Sequence, residues 1–353
     1  SSSRSPFEPA CSRCATTLAK EAGLGDGSNY SYFSPRRPVA GLESPKSPNR
    51  PLRARRLARV TKAIRFHAHG GPEVLGLEEV EVGKPGPGQA RVRHTAIGLN
   101  LIDTYHRSGL YAVDALPSGL GMEAAGAIEA LGEGVADLAI GQRVAYAAGP
   151  IGAYAEARCI RADRLVPLPD GIDDEVAAAG LLKGMTVEYL IGRTFPVKAG
   201  ETVLWHAAAG GVGLLACQWL KHLGVTVIGT VSSDEKAAIA RAHGCAHTIV
   251  YTREDFVQRV NELTGGAKVP VVYDTVGKTT FPASLDCLRP RGVFVGFGNA
   301  SGKPDPFDMG LLAAKGSLYL TRPTLMAYTA SRADLLASAA ALFEVIEKGA
   351  VKV

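Results

Sequence analysis

A glycine-rich turn holds the residues that are best placed to do chemistry. It reads Ala208-Ala209-Gly210-Gly211-Val212-Gly213 and lies between a strand-like apolar run and a helix-like segment. Gly210 and Gly211 would let the backbone approach a pyrophosphate closely, and Gly213 would let the helix pack against the strand. Because free N–H groups at the start of a helix bind phosphates, the turn predicts a dinucleotide site, although Ala208 replaces the first glycine of the usual G-x-G-x-x-G pattern.

The residues after the next predicted strand bear on the choice between NAD and NADP. NAD-binding proteins carry an Asp or Glu there, which bonds the ribose 2′-hydroxyl. Here Ser232 and Ser233 end the strand and Lys236 follows within one turn, a set that suits a 2′-phosphate and predicts NADPH. Asp234 and Glu235 oppose this interpretation. The alternative is that Ser233 caps the next helix and Lys236 is a solvated surface charge.

A parallel sheet with helices on both faces is needed to position these residues. Apolar runs alternate with helix-like segments through the second half of the chain, which is the βαβ rhythm of a doubly wound Rossmann domain. The expected strands cover 202–206, 225–230, 248–251, 269–273 and 292–297, with a helix at about 213–223.

The first half has a different rhythm of short, strand-like runs separated by glycine-rich turns. Such spacing predicts a β-rich, barrel-like domain, so the expected fold class is α/β with a barrel-like catalytic domain beside the Rossmann domain. The expected strands cover 63–67, 90–97, 127–131, 143–146 and 153–156.

The charge of the chain is unevenly distributed. Residues 1–59 hold 11 Lys and Arg but 4 Asp and Glu, out of 39 and 34 in the 353-residue chain. The remainder is therefore nearly neutral, and we expect no nucleic-acid partner. The sequence has no uninterrupted run of about 18 apolar residues, so we expect no membrane partner either.

Residues 1–59 form a basic segment rich in Ser, Pro and Arg, which predicts a disordered tail. The tail is either an organelle transit peptide or a leader without function. We expect a cytoplasmic protein, and an organelle protein if the tail is a transit peptide. Cys11 and Cys14 form a lone C-x-x-C without a second ligand pair, so they do not predict zinc.

Motifs dispersed over residues 62–353 resemble those of a known family. They lie at 67–75, 100–111, 116–121, 183–186, 206–213, 272–277 and 316–319. With these motifs the chain resembles the zeta-crystallin-like quinone oxidoreductases, which are zinc-free members of the medium-chain dehydrogenase/reductase superfamily. The resemblance implies an NADPH:quinone oxidoreductase that assembles as a homodimer or homotetramer.

The resemblance also implies a domain order and a set of cofactor contacts. It implies a GroES-like catalytic domain at 60–183, the NADP-binding Rossmann domain at 184–313, and a return to the catalytic domain at 314–353. Because the family continues further, the chain is expected to be truncated at its C-terminus. The implied contacts are Tyr105, Tyr189, Gly211, Val212, Ser232, Ser233, Lys236, Tyr251, Phe297, Gly298, Asn299, Pro323, Thr324 and Leu325.

The metal ligands of the related zinc-dependent alcohol dehydrogenases are replaced here. Asn100 stands where those enzymes have a ligand Cys, and Met122 where they have a ligand His, so we expect no metal. A quinone carbonyl is strongly electrophilic and needs no Lewis acid. Asn100 and Tyr105 are the candidate catalytic residues, as hydrogen-bond donors to the substrate. The alternative is that they hold the nicotinamide ribose or stabilise a turn.

Two other functions remain open. The same scaffold could serve an NADPH-dependent enone or alkenal reductase, with an activated alkene instead of a quinone as the acceptor. A non-catalytic NADPH- or RNA-binding protein is the alternative from another class, although the basic residues lie in the tail.

Overall fold

The computed structural model of the protein describes residues 59–353. The predicted tail at 1–59, with Cys11 and Cys14, therefore lies outside the described residues, except for Arg59. No helix within 59–353 combines the length and apolar character needed to cross a membrane.

Short antiparallel strands dominate the first half of the described chain, as predicted. They are β1 (Arg59–Phe66), β2 (Leu75–Val82), β3 (Gln89–Gly98), β4 (Ser118–Gly119), β5 (Glu123–Leu131), β6 (Arg143–Tyr146), β7 (Ala157–Arg161) and β8 (Val166–Pro167). One sheet has the order β7-β3-β5-β6-β8 and the other β2-β1-β4. Helix α1 (Leu101–Ser108) leaves the end of β3 and carries part of the site.

One predicted strand of this half is wrong. The alternating run at 153–156 is not a strand, because within it only Ala155 pairs, through an isolated bridge to Ala63. The strand of this region, β7, begins at Ala157 and pairs with β3. The apolar residues of this segment alternate because one side of it packs against the core, although the segment does not continue the strand pairing of the sheet.

Six parallel strands form the second sheet region. They are β9 (Thr202–Trp205), β10 (Thr226–Val231), β11 (His247–Val250), β12 (Val269–Asp274), β13 (Leu288–Gly296) and β14 (Tyr319–Thr321). Their order β11-β10-β9-β12-β13-β14 is the Rossmann order 3-2-1-4-5-6. Every residue of β12 is buried, as expected for a central strand with helices on both faces.

The helices of this region follow the strands in turn. They are α3 (Gly211–His222), α4 (Asp234–Ala242), α5 (Phe256–Leu263) and α6 (Gly310–Ala314). Short 3₁₀-helices lie at Pro72–Val74, Ala162–Arg164 and Ala283–Cys287, and a π-helical turn at Leu190–Thr194 extends α2 (Asp174–Tyr189).

Helix α2 (Asp174–Tyr189) packs against both regions. It lies on β3 and β5 of the antiparallel sheet and also on α3 and on α8 (Arg332–Glu347). Gly184 allows the close approach of α8, because a Cβ at this position would lie 2.3 Å from a methyl group of Leu342. The short helix α7 (Leu325–Tyr328) precedes α8.

Two of the predicted domain boundaries do not coincide with the ends of the observed strands and helices. The boundary predicted between residues 183 and 184 falls inside α2. The boundary predicted after residue 313 is too early, because β14 is the sixth strand of the parallel sheet. Beyond β14, Arg332 donates hydrogen bonds to carbonyl oxygens of Ala162 and Leu165, so α8 is tied to the first region.

Candidate cofactor and substrate site

The glycine-rich turn lies at the carboxyl end of β9, beside the point where the strand order reverses. Gly210 precedes the first residue of α3. A Cβ on Gly213 would lie 2.5 Å from the carbonyl oxygen of Ala207 and 2.7 Å from that of Ala208, so no larger residue fits. The structure thus leaves the N–H groups at the start of α3 open at the crevice where Rossmann domains bind ligands.

The end of β10 carries the residues predicted to select NADPH. Ser232 and Ser233 follow the strand, and the Ser233 hydroxyl accepts a hydrogen bond from the N–H of Lys236 at 3.4 Å. Ser233 is therefore the N-cap of α4, which was the alternative interpretation of this residue. The cap bond uses a lone pair of the hydroxyl and not its proton. Ser233 also forms a side-chain hydrogen bond with Glu235, which lowers the pKa of that carboxyl.

An arginine neutralises the acidic residue that opposed this prediction. Arg253 donates two hydrogen bonds to the carboxylate of Asp234, both 2.6 Å long. The loop of Arg253 lies beside the end of β10, since the N–H of Tyr251 donates to the carbonyl oxygen of Val231. Asp234 is thus charge-paired, and it opposes a bound phosphate less than its position in the sequence suggested.

A cleft of about 200 Å³ lies between the parallel sheet and the first region. Aromatic and apolar side chains dominate its walls, as in most small-molecule sites. Nine of the predicted site residues line it: Asn100, Tyr105, Tyr189, Val212, Phe297, Gly298, Pro323, Thr324 and Leu325.

The other predicted site residues do not line this cleft. The glycines of the turn lie at the start of α3, and the serine and lysine set lies one strand further along the sheet. Asn299 is adjacent to the cleft and contacts one of its walls. The predicted site residues outside the cleft are Gly210, Gly211, Gly213, Ser232, Ser233, Lys236, Tyr251 and Asn299.

A buried ion pair holds the amide of Asn100. Glu123 is fully buried and accepts hydrogen bonds from Asn100 Nδ2 at 2.7 Å, from the N–H of Leu182 at 2.7 Å and from Lys183 Nζ at 3.2 Å. Burial raises the pKa of Glu123, and the nearby Lys183 cation opposes that rise. The network leaves one N–H of Asn100 for a ligand.

Helix α1 fixes the position of the two candidate catalytic residues. The N–H of Asn100 donates to the carboxylate of Asp103 at 2.9 Å, and the hydroxyl of Tyr154 donates to the same oxygen at 2.8 Å. Tyr105 lies one turn further along α1, and burial raises its pKa. Its phenol is therefore neutral over a wide pH range and can donate a hydrogen bond.

Three polar side chains meet at one end of the cleft. Arg322 donates from Nη2 to the hydroxyl of Tyr111 at 3.2 Å and from Nη1 to the carbonyl oxygen of Gly298 at 3.3 Å. The oxygen and the nitrogen of the Asn299 amide are both hydrogen-bonded when the oxygen accepts from Tyr111 and Arg322, each at 3.2 Å, and the nitrogen donates to the carbonyl oxygen of Gly298. The ring of Tyr111 packs edge-on against that of Tyr105, with centroids 5.2 Å apart.

Two family models match the chain. One is described as an alcohol dehydrogenase GroES-like domain and matches residues 86–170. The other is described as a zinc-binding dehydrogenase and matches residues 211–336. The chain is 55% identical to the quinone oxidoreductase of Pseudomonas aeruginosa over 294 residues, which cover 83% of this chain and 90% of the relative. The chain belongs to the quinone oxidoreductase family.

Other members of the quinone oxidoreductase family are nearly as similar. A 2-haloacrylate reductase from a Burkholderia species is 48% identical, over 80% of this chain and 87% of the relative. The solved structure of Escherichia coli quinone oxidoreductase complexed with NADPH is 49% identical, with a TM-score of 0.82 over 83% of this chain and 90% of that one. These matches confirm the family and the two-part fold expected from the sequence.

The name of one family model mentions zinc, whereas the residues at the two candidate ligand positions are not typical zinc ligands. Asn100 Nδ2 is engaged by Glu123, and Met122 offers only a thioether, which is a poor zinc ligand. Among residues 59–353 no three His, Cys, Asp or Glu side chains are grouped so that they could hold a metal ion.

Several residues of the site escaped the sequence analysis. Lys183 lies within one of the matching motifs and Glu123 lies two residues beyond another, but their pairing joins positions 60 residues apart. Tyr111 and Arg322 are 211 residues apart and meet only in the fold. Arg253 could have been suspected from Asp234, since an acid beside a phosphate site needs a cationic partner.

Proposed function

We propose that the protein is an NADPH:quinone oxidoreductase that works without a metal. The observation that carries the proposal is the position of the glycine-rich turn. It opens at the switch point of a 3-2-1-4-5-6 sheet, directly beside a cleft that Asn100 and Val212 line. Family relatives that share half of their residues are named quinone oxidoreductases, which supports the same activity for this chain.

The residues at the turn fit a dinucleotide. A Cβ at Gly211 would lie 3.1 Å from two carbons of the flexible Lys183 side chain, which would have to shift slightly to admit it. Gly211 and Val212 would offer their N–H groups to the pyrophosphate. Ser232, Ser233 and Lys236 would hold the 2′-phosphate of NADPH.

The cleft residues would position an acceptor and exclude water. NADPH, when bound, supplies a hydride equivalent from its nicotinamide. Tyr105 and Tyr189 present flat aromatic walls, and Tyr189 is itself fixed by stacking on Tyr328 with centroids 4.5 Å apart. Tyr105 would donate its phenolic hydrogen to a substrate oxygen as negative charge develops there, and Asn100 would donate its free N–H.

Assembly and location extend the proposal. We infer a homodimer or homotetramer in the cytoplasm, or in an organelle if residues 1–59 act as a transit peptide. Light scattering on the purified protein and cell fractionation test these two statements.

A second enzymatic function has one specific observation in its favour. The 48% identical relative named 2-haloacrylate reductase takes its name from an activated alkene, not from a quinone. The enone or alkenal reductase of the sequence analysis is therefore the alternative. Faster turnover of an alkenal than of an ortho-quinone would replace the proposed function with this one.

The test uses the full chain and follows NADPH oxidation with phenanthrenequinone as the acceptor. We expect quinone-dependent oxidation, and we expect Tyr105→Phe to lower kcat by about 10-fold, because one hydrogen bond to developing charge is lost. Tyr319→Phe is the matched control, since Tyr319 is exposed on β14. No quinone-dependent oxidation, combined with salt-sensitive retention of RNA on a filter, would favour the binding-protein alternative.

A further inference from the structure

Two buried cysteines lie against each other beneath the glycine-rich turn. Cys217 lies in the middle of α3, and Cys245 follows the end of α4. Cys217 is 0% exposed and Cys245 is 3% exposed, and their side chains are hydrogen-bonded to each other. Both are free thiols, and the function proposed above uses neither of them.

Two glycines bring the cysteines together. Gly244 has a φ of 98°, a left-handed conformation that favours glycine, and a Cβ there would lie 3.0 Å from the carbonyl oxygen of Cys217. A Cβ on Gly229 of β10 would lie 2.6 Å from Cys245 Sγ, so this sulfur fills the space over the strand. The backbone therefore holds the loop that carries Cys245 directly against the helix that carries Cys217.

The two thiols differ in acidity. The hydrogen bond from Cys217 lowers the pKa of Cys245 against the effect of burial, and the nearby charge of Arg241 lowers it further. The same hydrogen bond, together with burial, raises the pKa of Cys217. Because the thiolate is the nucleophile, Cys245 is the residue that attacks an oxidant, and Cys217 is the residue that then closes a disulfide.

A surface cavity leads toward the pair. It has a volume of about 330 Å³, and its walls include Gln218 and Gly244, which are chain neighbours of the two cysteines. Ala246, on the other side of Cys245, is exposed. Cys245 therefore lies one residue below the surface, within reach of a molecule as small as hydrogen peroxide when the loop opens locally.

Both sulfur atoms lie close to Ala208, the first residue of the glycine-rich turn. Cys217 Sγ lies 4.0 Å from the carbonyl oxygen of Ala208, and the Ala208 side chain borders the same space over Gly229 as Cys245 Sγ does. In a disulfide the two sulfurs are about 2.05 Å apart, which is closer than any hydrogen-bonded pair of thiols, so α3 and the loop after α4 must move toward each other. The N–H groups at the start of α3 move with the helix.

We infer that Cys217 and Cys245 form an oxidisable pair, which hydrogen peroxide converts to a disulfide, and that this disulfide weakens the binding of the nicotinamide cofactor. The effect on the cofactor rests on the proposed function, whereas the formation of the disulfide does not.

The oxidation balances with peroxide as the only co-reactant. Cys245 loses its proton, its sulfur attacks one peroxide oxygen, the O–O bond breaks, and the hydroxide that leaves takes up that proton as water. The Cys217 sulfur then attacks the sulfenic sulfur of Cys245, the S–O bond breaks, and the second hydroxide leaves as water with the Cys217 proton. The two thiols lose two electrons and two protons in total, and dithiothreitol reverses the change.

Peptide mapping tests the disulfide directly. The native full-length protein is treated with hydrogen peroxide, its remaining thiols are blocked with N-ethylmaleimide, and it is digested with trypsin. Cleavage after Lys and Arg gives one peptide at 199–221 with Cys217 and another at 242–253 with Cys245. We expect a joined species that is two hydrogen atoms lighter than the sum of the two peptides and that dithiothreitol separates.

Equilibrium dialysis with NADP⁺ tests the effect on the cofactor. We expect the oxidised protein to bind NADP⁺ about tenfold more weakly than the reduced protein, the usual effect of losing one hydrogen bond to a charged group. In Cys217→Ala and in Cys245→Ala, peroxide should change the affinity by less than about twofold. Cys287→Ala is the matched control and should respond as the wild type does, because Cys287 is equally buried but packs in a different hydrophobic cluster.

The reciprocal measurement uses buffers of reduced and oxidised dithiothreitol. If the disulfide weakens NADP⁺ binding tenfold, saturating NADP⁺ must favour the dithiol by the same factor, which raises the reduction potential of the pair by about 30 mV.

The outcomes separate this inference from the proposed function. A reduced protein that binds no NADP⁺ would refute the proposed function, while the joined peptides would still establish the oxidisable pair. Absence of the joined peptides from the oxidised wild type, an unchanged affinity once they have formed, or an equal loss of affinity in Cys245→Ala overturns the inference and leaves the proposed function standing.

Discussion

The ion pair beneath Asn100 allows a quantitative test of how the cleft is held. Lys183→Met removes the only cation within 4.0 Å of the Glu123 carboxylate in the described part of the chain. The carboxylate keeps the N–H donors of Asn100 and Leu182 but loses its charge partner. Breaking a buried pair in this way costs about 3–5 kcal/mol. Because 18% of the Lys183 side chain is exposed, we expect the lower end, about 3 kcal/mol.

A second substitution should recover part of this loss. In Glu123→Gln combined with Lys183→Met no buried charge remains, and the glutamine oxygen can still accept from Leu182 while its nitrogen bonds a reversed Asn100 amide. We expect the double variant to be destabilised by only about 1–2 kcal/mol, so the second substitution recovers about 1–2 kcal/mol of the loss caused by Lys183→Met.

Urea unfolding at neutral pH, followed by tryptophan fluorescence, measures these free energies. Lys198→Met is the matched control, because Lys198 is exposed and makes no ion pair within residues 59–353. It should change the free energy of unfolding by less than about 0.5 kcal/mol. Equal destabilisation of Lys183→Met and the double variant would refute the reasoning, since the lone carboxylate would then cost nothing.

Three further predictions concern the turn, the phosphate site and the pH dependence of stability. Gly213→Ala should abolish NADPH binding in equilibrium dialysis, because its Cβ would lie within 2.7 Å of two carbonyl oxygens; retained affinity would contradict the packing. Arg253→Gln frees the charge of Asp234 and should weaken NADPH binding up to about fivefold while leaving NADH unchanged, which a comparison of the two dissociation constants checks. Burial lowers the pKa of His94 from 6.5 to about 4, so its neutral form is favoured in the native state. Stability should be full above pH 6.5 and fall by up to about 3 kcal/mol toward pH 4. His94→Gln should flatten this part of the stability profile, and an unchanged slope in urea titrations at several pH values would contradict it.

Much of the fold was predictable because the signals are local. Strands β9, β10 and β12 are apolar runs rich in β-branched residues, and nearly all of their residues are buried, so their sequences show them directly. The glycine-rich turn was equally visible, because tight packing at Gly213 excludes every other residue. Strand β14 was missed because it has three residues and lies at the sheet edge, with Tyr319 and Leu320 exposed.

The candidate site was only half predictable. The matching motifs located Asn100 and Tyr105, yet their surroundings depend on contacts between distant parts of the chain. Glu123 is an acid in an apolar strand, and nothing nearby in the sequence shows that Lys183 neutralises it. Arg322 looks like one more surface charge until the fold places it on the cleft wall.

The central claim is that NADPH binds at the carboxyl ends of the parallel strands. Titration of the full chain with NADPH and with NADH, followed by the quenching of protein fluorescence, tests it most directly, because Trp205 packs within 5.6 Å of Phe297 at the cleft. We predict that NADPH binds at least about tenfold more tightly, and that Lys236→Ala erases the difference without weakening NADH. Equal affinity for the two nucleotides in the wild-type protein would contradict the assignment of Ser232, Ser233 and Lys236, and binding of neither would contradict the site itself.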